Sequence, residues 1–332
     1  MKKQLLFCLA LAILLFSCND ASEISKGLIK HSVTLNNDNL STGRAAEMLL
    51  VMDKSWPVEI QDTICALLKK PQSGLPQPEP MFNLYQIDPS LFSGEFTKRT
   101  NILQLDVNEN YAKTEFITED NPWSKPQVYV HIKAQSAEEC IACIAAHRDE
   151  ILQNMFANDI AKLQAIFESK PNVQLQNHVQ KKFGIVMTIP QEYEIARETD
   201  DFLWLAYRTV KNDRFIMIYT SPNKKLTREA MMIKRNYTTR KYIEGETKDV
   251  YPQIVEKDDL PLHQELTLWS KEGAQLRGLW ETVNDYMGGP FYQFSFINTN
   301  GECVTIDGFV YAPKEPKVVY MRQVEAIAKS VK

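Results

Sequence analysis

The side chains best placed by type and spacing to do chemistry lie in the stretch CIACIAAH, Cys140 to His147. A Cys-x-x-Cys pair can cycle between dithiol and disulfide, or supply two thiolates to a metal. Just before it, Ser136-Ala-Glu-Glu139 has the form of a capping box, so a helix is expected to start there. On that helix Cys140, Cys143, His147 and Glu150 form one narrow stripe, because offsets of three and four stack along a face. Two soft thiolates with an imidazole would suit zinc or copper. Two features pull the other way. The apolar face of the same helix is centred beside the stripe, so the cysteines can equally be small residues flanking a core. A redox pair also draws its low thiol pKa from a helix N-terminus, and the capping box starts this helix four residues earlier. Ile144, directly after Cys143, excludes a haem-attachment motif.

A second candidate is LRGLWETVNDYMGGPF, Leu276 to Phe291. Alternation on a strand puts Leu276, Gly278 and Trp280 on one face and Arg277, Leu279 and Glu281 on the other. Gly278 implies close approach of another backbone or a ligand. Gly288-Gly289-Pro290 reads as a tight turn presenting Tyr286 and Met287. One reading is a recognition surface of Arg277, Trp280 and Tyr286, with Arg277 as the partner of an anion or carboxylate. The other is a hairpin with Trp280 in the core. The third candidate is GLPQPEPMFNLYQIDPSLF, Gly74 to Phe92, where prolines interleave with Met81, Phe82, Tyr85 and Phe92. Such a stiffened apolar loop loses little entropy on docking, so Pro78 and Phe82 are candidate contacts for a partner. It can equally pack over its own domain.

No G-x-S-x-G, H-E-x-x-H, Walker A or dinucleotide fingerprint is present, so no catalytic residue is assigned and no motif asks for a cofactor. The acidic clusters Glu198–Asp201 and Glu256–Asp259 lack the alternating spacing of a calcium loop. Five histidines are scattered along the chain.

The location is better marked. Lys2 and Lys3 precede an apolar run, Leu5–Phe16, of 12 residues. A bilayer span needs about 20, whereas a secretory h-region needs roughly 7–15. Bulky Phe16 spoils an ordinary cleavage site. Leu15-Phe16-Ser17-Cys18 instead resembles the lipobox of bacterial lipoproteins, which implies cleavage before Cys18 and lipidation of that cysteine. Residues 1–17 are then a signal peptide, and 18–45, polar after the cysteine, a tether.

The elements that must position the candidates follow. Removing the signal leaves 315 of the 332 residues, enough for two domains. Its formal charge moves from −4 to −6 as Lys2 and Lys3 leave, which argues against a phosphate-tracking surface and nucleic acid as partner. With 44% hydrophobic and 10% aromatic residues the chain has the composition of a packed globular protein. Cys65, Cys140, Cys143 and Cys303 remain, too few for a disulfide scaffold.

Residues 46–170 read as one α+β domain: a strand at Met48–Met52, a helix at Val58–Leu68, a proline-rich loop at Pro71–Pro80, strands at Asn101–Val107, Thr114–Thr118 and Gln127–Ile132, and a long helix from the capping box to about Ser169. The boundary is placed in Lys170–Lys182. Residues 171–332 read as a second α+β domain. Its strands fall at Gly184–Ile189, Phe202–Tyr207, Phe215–Tyr219, His263–Trp269, Ala274–Thr282, Phe291–Ile297 and Cys303–Tyr311. A helix at Leu226–Tyr242, with Ala230, Ile233 and Tyr237 on one face, and another at Pro316–Val331 complete it. Each domain is expected to be a mainly antiparallel sheet covered by helices.

The phrases GLPQPEPMF, DNPWSKPQ, LRGLW, DYMGGPF and GFVYAPK, together with the lipobox at Cys18, resemble a family of Bacteroidetes-type lipoproteins of unknown function. The resemblance covers nearly all of the mature chain and brings no catalytic residue with it. The order of elements in the second half is reminiscent of PsbP/Mog1-like modules, helix-covered antiparallel sheets used in binding and assembly; this is analogy of fold. The expectation is a membrane-anchored envelope lipoprotein, on the periplasmic side or at the outer membrane. Its role would be binding or assembly, with an envelope protein as a possible partner. The alternatives are a metal-binding or thiol-redox lipoprotein using Cys140, Cys143 and His147, and a hydrolase whose site in the C-terminal domain escapes motif recognition.

Overall fold

The computed structural model of the protein describes residues 39–245, 247 and 249–332. The apolar run Leu5–Phe16, Cys18 and the tether up to residue 38 lie outside the described residues. The class is α+β, built on two sheets.

The first half contains β1 (Glu47–Val51), α1 (Val58–Leu68), β2 (Asn83–Ile87), β3 (Asn101–Val107), β4 (Glu115–Asp120), β5 (Val128–Ala134) and α2 (Ala137–Ser169). The strands run in the order β2-β1-β3-β5-β4. β1 is parallel to β2 and β3, and β3 to β5, while β4 is antiparallel to β5. This sheet is therefore mixed, where hairpin logic suggests antiparallel strands. Its first crossover runs through α1, and parallel neighbours need such a long connection. The strand that receives it, β2, lies between Pro80 and Pro89, in the stretch whose prolines read as loop. α2 begins as its capping box requires, with Ser136 Oγ accepting from the Glu139 N–H at 3.3 Å. α1 and α2 cover one face of the sheet through Ile64, Leu68, Ile144, Ile151, Leu152 and Met155. The opposite face carries Leu49, Val51, Ile87, Ile102 and Tyr129 and is covered only in part, by Phe92 and Phe96 on short turns.

The second half contains α3 (Val173–Phe183), β6 (Glu194–Thr199), β7 (Phe202–Arg208), β8 (Asp213–Ser221), α4 (Arg228–Tyr242), β9 (Pro252–Val255), β10 (Leu262–Leu268), β11 (Lys271–Thr282), β12 (Gly288–Ile297), β13 (Cys303–Tyr311) and α5 (Val318–Ala328). The sheet runs β10-β11-β12-β13-β8-β7-β6, antiparallel throughout, with β9 paired to β11. α3 and α5 pack on one face, α4 on the other.

Four expectations change in this frame. Residues 39–45, read as tether, are paired into the first domain: Leu40 bridges Lys125, Thr42 bridges Arg99, and Ser41 is buried against Thr100. The stretch in which the domain boundary is placed holds α3, which closes on Gly184 in the left-handed region (φ 66°). Residues 185–189 are extended core chain, not a ladder strand, and Val186 pairs with the C-terminal Lys332. On α4, Ile233 and Tyr237 are exposed, while Lys234 and Arg235 are buried. Arg235 Nε donates to Asp307 Oδ2 at 2.7 Å, and its guanidinium lies 4.1 Å from the Phe291 ring. Lys234 Nζ donates to the Lys225 carbonyl at 3.0 Å and sits 3.1 Å from Cys303 Sγ. Buried charge requires such partners, and apolar periodicity does not register them.

The two halves are joined by buried ions. Arg322 of α5 donates from Nη1 to Asp159 Oδ2 of α2 at 2.7 Å and from Nη2 to the Met81 carbonyl at 2.9 Å. Its guanidinium lies between Phe156 (4.3 Å) and Phe82 (5.0 Å). Asp159 also accepts from the Ala46 N–H at 2.6 Å and from Asn101 Nδ2 at 2.8 Å. Burial pushes the Asp159 carboxyl up and the Arg322 guanidinium down, and their mutual attraction opposes both shifts. One turn on, Glu325 pairs with Arg277 and Lys329. Burial pushes its carboxyl up, but these two cations outweigh that and hold it at about 2.

Arg322→Ala strands Asp159 as an unpaired buried group and is expected to cost about 3–5 kcal/mol, read as a loss of unfolding free energy in urea. Glu325 titrates well below its ordinary 4.5, so its contribution is complete above that pH and is lost as the pH falls towards 2. The thermal midpoint should drop over this window, and Glu325→Gln, less stable at neutral pH, should show a shallower drop there.

Candidate functional site

The stripe Cys140, Cys143 and His147 does not form a centre. Cys140 is fully buried, and burial, aided by Cys143, pushes its thiol up to about 12. Burial also raises Cys143. A reactive or metal-binding thiol needs the opposite shift. His147 turns to the side: its ring stacks on Phe116 at 4.0 Å and Nδ1 meets Glu150 at 2.9 Å. Among the described residues no three His, Cys, Asp or Glu side chains are gathered where a metal ion would sit. The other described histidines are dispersed. His178 meets Glu198 at 2.8 Å, and His263 Nε2 donates to the Leu226 carbonyl at 2.7 Å.

The candidates of the second stretch separate. Arg277 has its carboxylate partner within the chain, Glu325. Trp280 is core, edge-on to Phe309. Tyr286 alone is fully exposed, at the tip of the β11–β12 hairpin. Gly288-Gly289-Pro290 is not the turn but the start of β12, and an added Cβ at Gly289 would collide with the Val310 carbonyl. Gly278 does admit close approach, by Pro261 of the same chain: a Cβ there would lie 3.1 Å from Pro261 Cα.

The proline loop proves to be structural at its centre. Phe82 is buried beneath Arg322, and Pro78 is exposed. Between them the Glu79 carboxylate accepts from the Lys317 and Val318 N–H groups at 2.8 and 2.9 Å. Lys317 caps α5 with no side-chain bond of its own, so the other domain provides the negative group that this helix N-terminus requires.

What remains open is the helix-free face of the first sheet. Alternation directs Tyr85, Leu49, Ile102 and Tyr129, aligned across four strands, to this side. Tyr85 stacks on Phe96 at 6.2 Å. Trp123 meets Tyr129 at 4.9 Å and Phe92 at 5.7 Å, both edge-on. Tyr85, Leu91 and Trp123 nevertheless stay 50%, 52% and 41% exposed. Beside the aromatic row lies a polar one. Tyr129 Oη donates to Gln104 at 2.9 Å, Tyr111 Oη donates to Asp106 at 2.5 Å, and His131 Nε2 lies 3.8 Å from Asp106 Oδ2. Burial and Lys133 push the His131 imidazole pKa down against the pull of Asp106, so at neutral pH the ring is uncharged.

One end of the face carries a shallow depression lined by Thr42, Gly43, Arg44, Glu47, Tyr85 and Arg99 among others. The Arg99 guanidinium lies 5.5 Å from the Tyr85 ring and 3.5 Å from Glu47. Lys162 is buried nearby, donating to the Gly43 carbonyl at 2.7 Å and Thr100 Oγ1 at 2.6 Å, and burial pushes its pKa down to about 8. The arrangement can stack, hydrogen-bond and bury apolar surface. Its sequence signal was the alternation in NLYQI and QVYVHI, which sets Tyr85, Tyr129 and His131 opposite the core-facing positions.

Comparison with known proteins places both halves. Residues 172–330 match the family model described as Domain of unknown function (DUF4837), and residues 41–168 match Domain of unknown function (DUF8532). No curated protein matches the chain. A crystal structure from Bacteroides thetaiotaomicron VPI-5482, at 1.50 Å resolution, is similar at 8% identity over 46% of this chain and 45% of that one, with a TM-score of 0.24. The chain thus spans under half the length of that structure, and likeness at this level carries no argument.

For the thiols, 5,5′-dithiobis(2-nitrobenzoate) at pH 8 is expected to label Cys140 at least about 100-fold more slowly than free cysteine until the protein is unfolded.

Proposed function

We propose that this chain, which joins a DUF8532 domain to a DUF4837 domain, is a lipid-anchored cell-envelope protein with a binding or assembly role. The observation that carries the reading is the helix-free face of the first sheet. It carries Tyr85 and Trp123, two large exposed side chains, in an ordered aromatic row, and exposed Leu91 directly precedes Phe92 of that row in the chain. Monomeric proteins generally cover such a face, and one left open in a well-packed domain is the usual form of an interaction site. The buried Arg322–Asp159 pair between the halves supports the same reading, because it ties the domain that carries the face to the second domain. The anchor rests on the basic, apolar, cysteine order that ends at Cys18. In this reading attachment comes from lipid on Cys18; among the described residues no helix is long and apolar enough to cross a membrane.

Two measurements test it. Metabolic labelling with a palmitate analogue should mark the wild-type protein and not Cys18→Ser, which should also leave the detergent phase on Triton X-114 partition. A photo-crosslinker placed at Tyr85 or Leu91 in cells should yield a discrete adduct. The same group at Val210, fully exposed on the second domain, should not. Equal, diffuse labelling from all three positions would remove the face from the proposal.

A further inference from the structure

We infer that the occupant of the helix-free face is the bilayer surface to which the chain is anchored, with Trp123, Leu91 and Tyr85 entering the headgroup region. This deepens the proposed function and rests on its lipid anchor.

The first observation is where the chain enters the fold. Leu40 bridges Lys125, and the Lys125 N–H donates to the Asn39 carbonyl at 2.9 Å. The described chain therefore begins two residues from Trp123, on the rim of the aromatic face. Twenty residues, 19–38, separate it from Cys18, and at full extension they span at most about 70 Å. A lipid on Cys18 thus holds this rim of the molecule within reach of the membrane. Docking of the face becomes an intramolecular event, for which weak interfacial affinity is enough.

The second observation is the chemistry of the patch. Trp and Tyr combine an apolar body with a polar tip, the combination that favours the bilayer–water interface. Leu91 adds an apolar contact beside Phe92. The rim where the chain enters carries Arg44, Lys98, Arg99 and Lys125, cations suited to anionic headgroups, while the carboxylates Asp106, Glu115 and Glu119 gather beside His131 and Tyr129 on the β4 side of the face. Lys98 and Arg99 also bond to Glu95 and Glu47, which moderates their charge. Of the other large exposed apolar side chains, Val58 and Ile166 lie singly on the helices of the first domain, and Val210, Ile233, Tyr237 and Tyr286 are among those on the second.

The test uses the lipidated full chain in vesicles of phosphatidylethanolamine and phosphatidylglycerol doped with brominated phosphatidylcholine, a quencher of nearby tryptophan. The protein should float with the vesicles, and bromine should lower its emission. Trp123→Phe should float equally and lose at least two-thirds of the quenching, although four other tryptophans remain. Leu91→Glu, which keeps Trp123, should also float and show weaker quenching. Quenching unchanged in Trp123→Phe, or absent in a wild type that floats, overturns the docking and leaves the anchor standing. Failure of the wild type to float overturns the anchor and the docking with it. Protein adducts from the photo-crosslinker at Tyr85, in place of lipid adducts, would assign the face to a protein partner and overturn the inference while keeping the proposed function.

Discussion

The Arg322–Asp159 pair sits where four parts of the chain meet: α2, α5, the loop that carries Met81, and the entry of β1 at Ala46. Removing two charges from water costs several kcal/mol per ion, so such a pair persists only where further hydrogen bonds complete both partners. Here Asp159 receives two donors besides the guanidinium, one of them from Asn101 at the start of β3, and Arg322 has a carbonyl and two aromatic rings. The geometry is therefore specified from both halves at once. Glu325 and its two cations extend the same seam along α5. The Glu79 carboxylate closes it at the helix N-terminus.

This seam explains why the proline-rich loop and Arg277, both attractive as external binding elements, are directed inwards. The loop delivers Glu79, Met81 and Phe82 to α5. Arg277 neutralises Glu325, and its side chain packs against Gly74 of the same loop. The surface left for interaction is then elsewhere, on the side of the first sheet that neither α1 nor α2 covers. A two-layer arrangement of sheet and helices necessarily exposes one sheet face. In this chain that face is aromatic and only part covered by its own turns.

Much of the local structure was legible in the residues. The helix at Val58–Leu68 follows its apolar spacing, and α2 runs from the capping box to Ser169 before Pro171, as those signals require. Most strands of the second sheet follow alternation and turn residues. What escaped was whatever depends on a distant partner. α4 buries Lys234 and Arg235 and exposes Ile233 and Tyr237, because Asp307 on β13 and the carbonyl of Lys225 wait for the cations. Gly-Gly-Pro reads as a turn locally but is strand, because the Val310 carbonyl on β13 presses against Gly289. β2 looked like loop because its short alternation lies between prolines, and only pairing with β1 makes it a strand.

The sequence by itself determined the α+β class, the long capped helix and the lack of a recognised catalytic motif, since these depend on residue type and short-range spacing. It also carried the expectation of an anchor at Cys18. Tertiary structure alone decided which charges are interior, which sheet has parallel strands, that Cys140 is packed as a core side chain, and which sheet face stays open. Those outcomes are set by contacts between segments up to 241 positions apart, such as Met81 with Arg322, and burial and pairing at that range leave no periodic trace along the chain.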